Sequence, residues 1–242
     1  MKRLLKRIVS SVVPHNVLSL ARFEYRSRLG RVFAGPLRIT GPSPHYINLG
    51  CGDEPSPDFI NIDFWGASGA GYNADLRFPL RVGDGVVDGI YSEHTFEHLT
   101  YDEVDRLLSE CRRIMKAGAV IRIIVPDVSL FVRKYADSDA DWFRAWEARM
   151  FLKSPNPERN RRRLASHLQA LSFVTQEYGH VSSWDAETMT RYLERNGFCD
   201  VRTTSFRSGR NPDLLQDSAD EARTAVSLYI EGTAEGPAAS GH

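Results

Sequence analysis

Neither sign of charge is in excess in this chain of 242 residues: 31 lysines and arginines stand against 31 aspartates and glutamates. That balance, with no recognised RNA- or DNA-binding motif, disfavours a nucleic-acid partner. Cysteine is scarce as well. Cys51, Cys111 and Cys199 are odd in number, far apart and in no CxxC pairing, which fits a reducing cytosol better than a disulfide framework and implies no structural zinc. No apolar run reaches membrane-spanning length, and Met1–Val13, basic and then apolar, is too short and too interrupted for a secretory signal. The expectation is one soluble cytoplasmic domain, large enough to bury a full core.

A further absence is more specific. Tyr46–Asp63 reads YINLGCGDEPSPDFINID: a short apolar strand, a tight turn at Gly50-Cys51-Gly52, a link, a second strand Phe59–Ile62, and Asp63 at its tip. A dinucleotide fingerprint needs a third glycine and a helix whose N-terminus faces pyrophosphate, but Pro55 occupies that glycine position and Pro57 follows. The link is too short for a regular crossover helix. NAD, FAD and nucleotide triphosphates are disfavoured, and with them an oxidoreductase. S-adenosylmethionine carries no phosphate and needs no such helix end. It asks for close backbone approach at its amino-acid end, an acid for the ribose hydroxyls and a polar group at the adenine amine, which Gly50–Gly52, Asp63 and Asp75 supply in that order.

The remaining chain alternates strand and helix. Met1–Val13 has the spacing of a basic amphipathic helix, and Arg22, Arg26, Arg28, Arg31 and Arg38 continue its charge. It packs on the domain or docks peripherally on an anionic inner-membrane surface. Gly35-Pro36 and Gly41–Pro44 read as a linker, and the core domain spans 45–231 after an N-terminal segment 1–44. Short strands are expected at 72–74 and 86–91, then a helix opened by the Thr100-x-x-Glu103 capping box and stopped by Gly118, then the apolar strand Val120–Val125. Residues 128–180, helical and aromatic-rich, read as an inserted cap. Asp185 caps a further helix, and Phe198–Thr204 and Ala225–Glu231 form an antiparallel edge pair before a disordered tail, 232–242. The expected class is α/β: a doubly wound, mostly parallel Rossmann-like sheet with an antiparallel edge pair and a helical cap insertion.

Ligands in such sheets bind outside the carboxyl ends of the strands. Those ends collect Gly50–Gly52, Asp63 with Phe64, Asp75-Leu76, Ser92–His98 and Asp127. His94, His98 and Asp127 are candidate general bases, with His180 able to approach from the cap. His94-x-x-Glu97-His98 also satisfies the HxxEH pattern of inverted zinc proteases, but that pattern requires both histidines on one helix face, and the capping box starts the helix only at Thr100. No metal is assigned. Cys51 is accounted for by the shape of the turn rather than as a nucleophile.

NLGCG, INID, the Asp75-Leu76 tip, DGIYSEHTFEHL, RRIMKAGA and IRIIVPD together resemble the class I S-adenosylmethionine-dependent methyltransferases, and more narrowly the bacterial ones associated with surface-polysaccharide biosynthesis. The resemblance runs over 46–127 and resumes at 179–198 and at SLYIEG. It implies that Gly50, Cys51 and Gly52 contact the methionine part of the cofactor, Asp63 the ribose, and Asp75 with Leu76 the adenine; Phe64 and Ser92 complete the expected cofactor-binding set. One departure is Lys116-Ala117-Gly118-Ala119, where the family usually has Lys-Pro-Gly-Gly. The acceptor expected is a small-molecule sugar or glycan-linked hydroxyl, anionic if Arg159, Arg161, Arg162 and Arg163 face the site. A cofactor-binding scaffold of the same fold without turnover is the alternative.

Overall fold

The computed structural model describes residues 15–33, 35–64, 70–151 and 164–236. Met1–Val13 and the arginines at 159 and 161–163 lie outside the described residues.

Seven strands form one sheet in the order β3-β2-β1-β4-β5-β7-β6. They are β1 (Tyr46–Leu49), β2 (Ile60–Asp63), β3 (Tyr72–Asn73), β4 (Val87–Glu93), β5 (Met115–Pro126), β6 (Phe198–Thr203) and β7 (Ser227–Ala234). The first five run parallel, and β7 runs antiparallel to both β5 and β6. This is the Rossmann-like architecture that the alternating pattern predicts. Strand order reverses between β1 and β4, which leaves a crevice at their carboxyl ends.

The central strands are apolar because helices and loops cover both their faces. Ile47, Leu49, Ile62, Ile90, Ile121 and Ile123 lie in one buried cluster with Val104, Leu107, Leu108 and Cys111 of α2 (Tyr101–Ile114). The capping box opens α2 as expected: the Glu103 side chain accepts the Thr100 N–H at 2.8 Å and the Thr100 hydroxyl accepts the Glu103 N–H at 3.4 Å. Its end differs from expectation. α2 stops at Ile114, and Met115 already pairs with Val87; the next pair is Gly89 with Val120. Residues 116–119 therefore bulge out of the ladder, and Gly118, at φ +80°, shapes that bulge rather than the helix stop.

Helices α3 (Val128–Ala136), α4 (Ala140–Met150) and α5 (His167–Gln176) enclose a second apolar cluster of Phe131, Phe143, Trp146, Phe151, Ala170 and Val174. Leu168, which the apolar pattern groups with this set, is exposed. Helix α6 (Ala186–Arg195) begins at Asp185, which accepts the Thr188 N–H at 2.8 Å, and ends at Gly197, φ +81°. A one-turn helix, α7 (Glu221–Thr224), precedes β7. Residues 232–234, expected in the tail, continue β7 through Ala234, where Thr233 pairs with Val120 and Ala234 with Phe198.

Two tethers have no counterpart in the local sequence pattern. Arg122, in the middle of the apolar β5, is fully buried and held by Asp217 at 2.5 Å and Glu231 at 3.0 Å. It also donates to the carbonyls of Ser205 and Ser208, so one guanidinium fastens the 205–217 loop to the sheet. Helix α1 (His15–Phe33) covers the β3 edge: Ser27 hydrogen-bonds Asp75, Glu24 pairs with Arg77 at 2.6 Å, and Phe23 stacks on Phe64. Between Gly35-Pro36 and Gly41–Pro44, Leu37 and Ile39 are partly buried against the main cluster.

Candidate functional site

The turn after β1 is held by backbone geometry. Gly50 and Gly52 sit at φ +74° and +53°, a region that side chains disfavour. The two glycines differ in what surrounds them. A Cβ on Gly50 would collide with Thr95, whereas one on Gly52 would meet open space. The turn folds back on β2 as Gly50 and Cys51 donate to the Ile62 carbonyl at 2.8 and 3.3 Å and Gly52 donates to the Asp63 carboxylate at 2.9 Å. The link 53–59 forms no helix. Asn61 orders it instead, accepting the Ser56 N–H at 2.9 Å and donating to the Ser56 carbonyl at 2.8 Å. Among the described residues no helix therefore opens from the link after the turn, as the prolines predict.

A cavity of about 480 Å³ opens over this turn, lined by Asn48, Gly50–Gly52, the link, Glu93, His94, Gln216, Ser218 and Arg223. Its size suits a nucleoside-sized ligand. The Cys51 thiol is raised in pKa, by burial first and by the Asp63 charge second, so it stays protonated and is no nucleophile.

The other expected cofactor residues are placed differently. Phe64 and Asp75 border a separate hollow of about 50 Å³ beneath α1. Asp75 accepts from Ser27 and from Arg77, the latter at 2.8 Å. Burial acts to raise its pKa, but the bonds from Arg77 and Ser27 outweigh it and hold it below the usual carboxylate value. Leu76 packs on the main core. Ser92 is fully buried and donates to the Leu49 carbonyl at 2.9 Å, tying β4 to β1.

A second cavity, about 310 Å³, lies against the first and shares His94 and Arg223 with it. Its walls include His94, Glu97, His98 and His180 together with Trp146, Phe173 and Tyr178. His94 has φ +49°, and both ring nitrogens are engaged: Nδ1 with Glu97 Oε1 at 3.0 Å and Nε2 with Ser227 Oγ at 2.9 Å. His98 and His180 meet edge to face at 4.9 Å between centroids. His98 is exposed on its outer side; partial burial of its ring lowers its pKa, the Glu97 charge opposes this and His180 adds to it. Glu97 is 2% exposed. Burial would raise its pKa, but the His94 hydrogen bond and the nearby imidazoles hold it below the usual value.

Asp127 is at the same strand edge but serves α3, accepting the Leu130 N–H at 3.2 Å and the Ser129 hydroxyl at 2.6 Å. The structure thus brings together His94, His98 and His180, with Glu97 between them, and sets Asp127 to capping. Glu97 and Arg223 carry no assignment from sequence reasoning. Glu97 had a signal, since it lies inside the HxxEH pattern; Arg223 had none, because a lone arginine in an irregular stretch points nowhere by itself.

The HxxEH segment is not a helix: Phe96–His98 form one 3₁₀ turn, with α2 starting at Tyr101. Among the described residues, a carboxylate oxygen of Glu97 and one ring nitrogen each of His98 and His180 lie within 4.8 Å of one another. Comparison with known families matches residues 67–123 to a family model described as a methyltransferase domain. That stretch, less than half of the chain, holds Glu97 and His98 but begins after the glycine turn and Asp63. No curated protein matches the chain. Among solved structures, it is similar to a SAM-dependent methyltransferase from Archaeoglobus fulgidus, at 17% identity over 90% of this chain and 99% of that one, TM-score 0.47. Another is a Thermotoga maritima SAM-dependent methyltransferase described as a possible histamine N-methyltransferase, at 16% identity over 88% and 90%, TM-score 0.47. A third is phosphoethanolamine N-methyltransferase 2 from Haemonchus contortus in complex with S-adenosyl-L-methionine, at 10% identity over 88% and 53%, TM-score 0.44. Likenesses at this level carry no argument about chemistry.

Proposed function

We propose that this chain is an S-adenosylmethionine-dependent methyltransferase acting on a hydroxyl of a polar, sugar-like acceptor. One observation carries the reading: the helix-free glycine-turn cavity at the β1/β4 switch point adjoins a second cavity lined by imidazoles, and the two share His94 and Arg223. Two adjoining chambers are what transfer between a bound donor and a separate acceptor requires. The methyltransferase-domain match over 67–123 supports the same reaction class.

In this reading Gly50–Gly52 and Asp63 bind the methionine and ribose parts of the cofactor, and the acceptor lies in the 310 Å³ cavity. Held by Gly50–Gly52 and Asp63, the cofactor would supply an activated methyl group to the acceptor oxygen and leave as the neutral thioether, with the C–S bond electrons on sulfur. The hydroxyl proton leaves to the histidine cluster and then to water. Alignment of the two reactants is the protein's main contribution, since the sulfonium is already a good leaving group.

Phe173 and Tyr178 offer apolar faces for a sugar ring, with the buried Trp146 packed behind Phe173. Arg223, facing Glu54 at 3.7 Å, offers a cation for an acidic or phosphate-linked acceptor. A glycan intermediate in the cytoplasm or at the inner membrane surface fits these walls. No described helix is long and apolar enough to cross a membrane.

Isothermal titration with S-adenosylmethionine tests the cofactor, and absence of binding at high concentration overturns the reading. Transfer of labelled methyl to a panel of acceptors tests the reaction. The expected label is on oxygen, and label found only on amine acceptors would replace the hydroxyl with a nitrogen nucleophile.

A further inference from the structure

The buried carboxylate of Glu97 is half satisfied. Oε1 takes the His94 ring at 3.0 Å, but Oε2 is buried with no hydrogen-bond partner among the described residues. An ionised carboxylate oxygen in that state is costly unless something positive completes it. Beside it, a Glu97 carboxylate oxygen and one ring nitrogen each of His98 and His180 lie within 4.8 Å of one another. The His180 Nδ1 approaches the Val174 carbonyl at 2.7 Å; a carbonyl only accepts, so Nδ1 carries a proton and Nε2 is the nitrogen left to serve as a ligand.

The backbone around these side chains is built to hold them there. Val181 and Ser182 both donate to the Glu97 carbonyl, at 2.8 and 3.2 Å, and the Ser182 hydroxyl donates to the Phe96 carbonyl at 3.2 Å. Tyr178 adopts φ +58° and Gly179 φ +84° in the turn that brings in His180, while His94 is itself left-handed at φ +49°. Non-glycine residues persist in that region only where the surroundings over-determine them, and such strain clusters at ligand sites.

We propose that Glu97, His98 and His180 bind one divalent transition-metal cation of the zinc class, with its open coordination positions facing the 310 Å³ cavity. Two imidazoles and one carboxylate are a donor set for zinc and its neighbours, and a site with three protein ligands keeps room for an exogenous oxygen. The triad is distinct from the HxxEH protease pattern: His94 is not a ligand but orients Glu97 through Oε1, as carboxylate-ligand partners do. Ligand atoms around a tetrahedral cation at about 2.1 Å stand roughly 3.4 Å apart. The present separations, all within 4.8 Å, close to that by small side-chain rotations. That the open position receives the acceptor oxygen rests on the methyltransferase reading; the binding of the cation does not.

The test uses the full chain without an affinity tag, stripped with chelator, dialysed and titrated with Zn²⁺ by calorimetry and with Co²⁺ by visible absorption. One equivalent is expected, with a ligand-field spectrum of low-coordinate cobalt. Glu97→Gln and His180→Ala should each lose the equivalent, His94→Ala should weaken it about 10–100-fold, and His45→Ala should leave it intact. Circular dichroism shows whether each variant keeps the fold, and His180→Asn replaces His180→Ala if it does not. Failure of the parent protein to bind an equivalent, or equal binding by the Glu97 and His180 variants, overturns the proposal. Calorimetry with S-adenosylmethionine on the same stripped protein separates the two readings. Cofactor binding without metal binding sinks only the cation, and metal binding without cofactor binding sinks only the methyltransferase.

Discussion

The two cavities are built in opposite ways. The glycine-turn cavity takes most of its floor from one continuous stretch, 48–57, and shapes it with backbone. The histidine cavity gathers side chains from the tip of β4, from α4 and α5, from the strained turn before His180, and from α7. A floor of backbone depends on φ and on small residues, so it announces itself locally. A wall of side chains from distant segments depends on how helices and loops pack, so no single stretch announces it.

Substitutions can break that contrast, and the largest effect is expected on turnover in the histidine cavity. His98→Ala should lower methyl transfer by about 10²–10⁴-fold, the usual worth of a group that handles a proton or an acceptor, while leaving S-adenosylmethionine affinity unchanged in calorimetry. A parallel loss of cofactor affinity would show that the two cavities are one site.

Next comes the tether of the 205–217 loop, whose Gln216 lines the glycine-turn cavity. Arg122→Ala leaves Asp217 and Glu231 buried without their cation, and breaking a buried pair costs about 3–5 kcal/mol. Urea unfolding measures this. A change under about 1 kcal/mol would mean that the 205–217 loop is held by other contacts.

The glycines sharpen the comparison further. Gly50→Ala puts a Cβ into Thr95 as well as forcing a positive φ, a cost of about 1–3 kcal/mol by strain alone. Gly52→Ala forces the φ but meets open space, so it should lower stability less and reveal itself in cofactor affinity. Equal thermal shifts for the two variants would remove the role given to Thr95.

The smallest effect is at the β3 edge. Asp75 has a folded-state pKa below its ordinary 3.8, so its contribution to stability is fully present above that value and is lost as pH falls through the folded one. Hydrogen exchange should show α1 losing protection in that acid window. Asp75→Asn should weaken α1 at neutral pH and flatten the acid dependence. An unchanged acid profile would mean that Arg77 finds its partner in Glu24 alone.

The legible parts of this protein were those with local causes. The Thr100–Glu103 capping box, the Asp185 cap, the positive-φ glycines and the alternation of buried strands with an amphipathic α2 all rest on neighbours within a few residues. The helix-free link followed from Pro55 and Pro57 for the same reason. Errors came where tertiary contacts overrode a local cue. Gly118 looked like a helix stop and shapes a bulge, because Met115 finds a pairing partner in Val87. Arg122 interrupts an apolar strand without exposing it, because two distant carboxylates meet it there. The Asp127 cap on α3 has a local cause, a carboxylate met by Ser129 and Leu130 two and three residues on.

The sequence by itself determined the sheet, its switch point and the glycine turn, since period, chirality and backbone sterics act over short range. Only the tertiary structure decided that Glu97, His98 and His180 converge, that α1 lies over Asp75, and that Arg223 stands between two cavities. Those facts depend on where loops return after many residues, and that is settled by packing and by the pairing of buried charges.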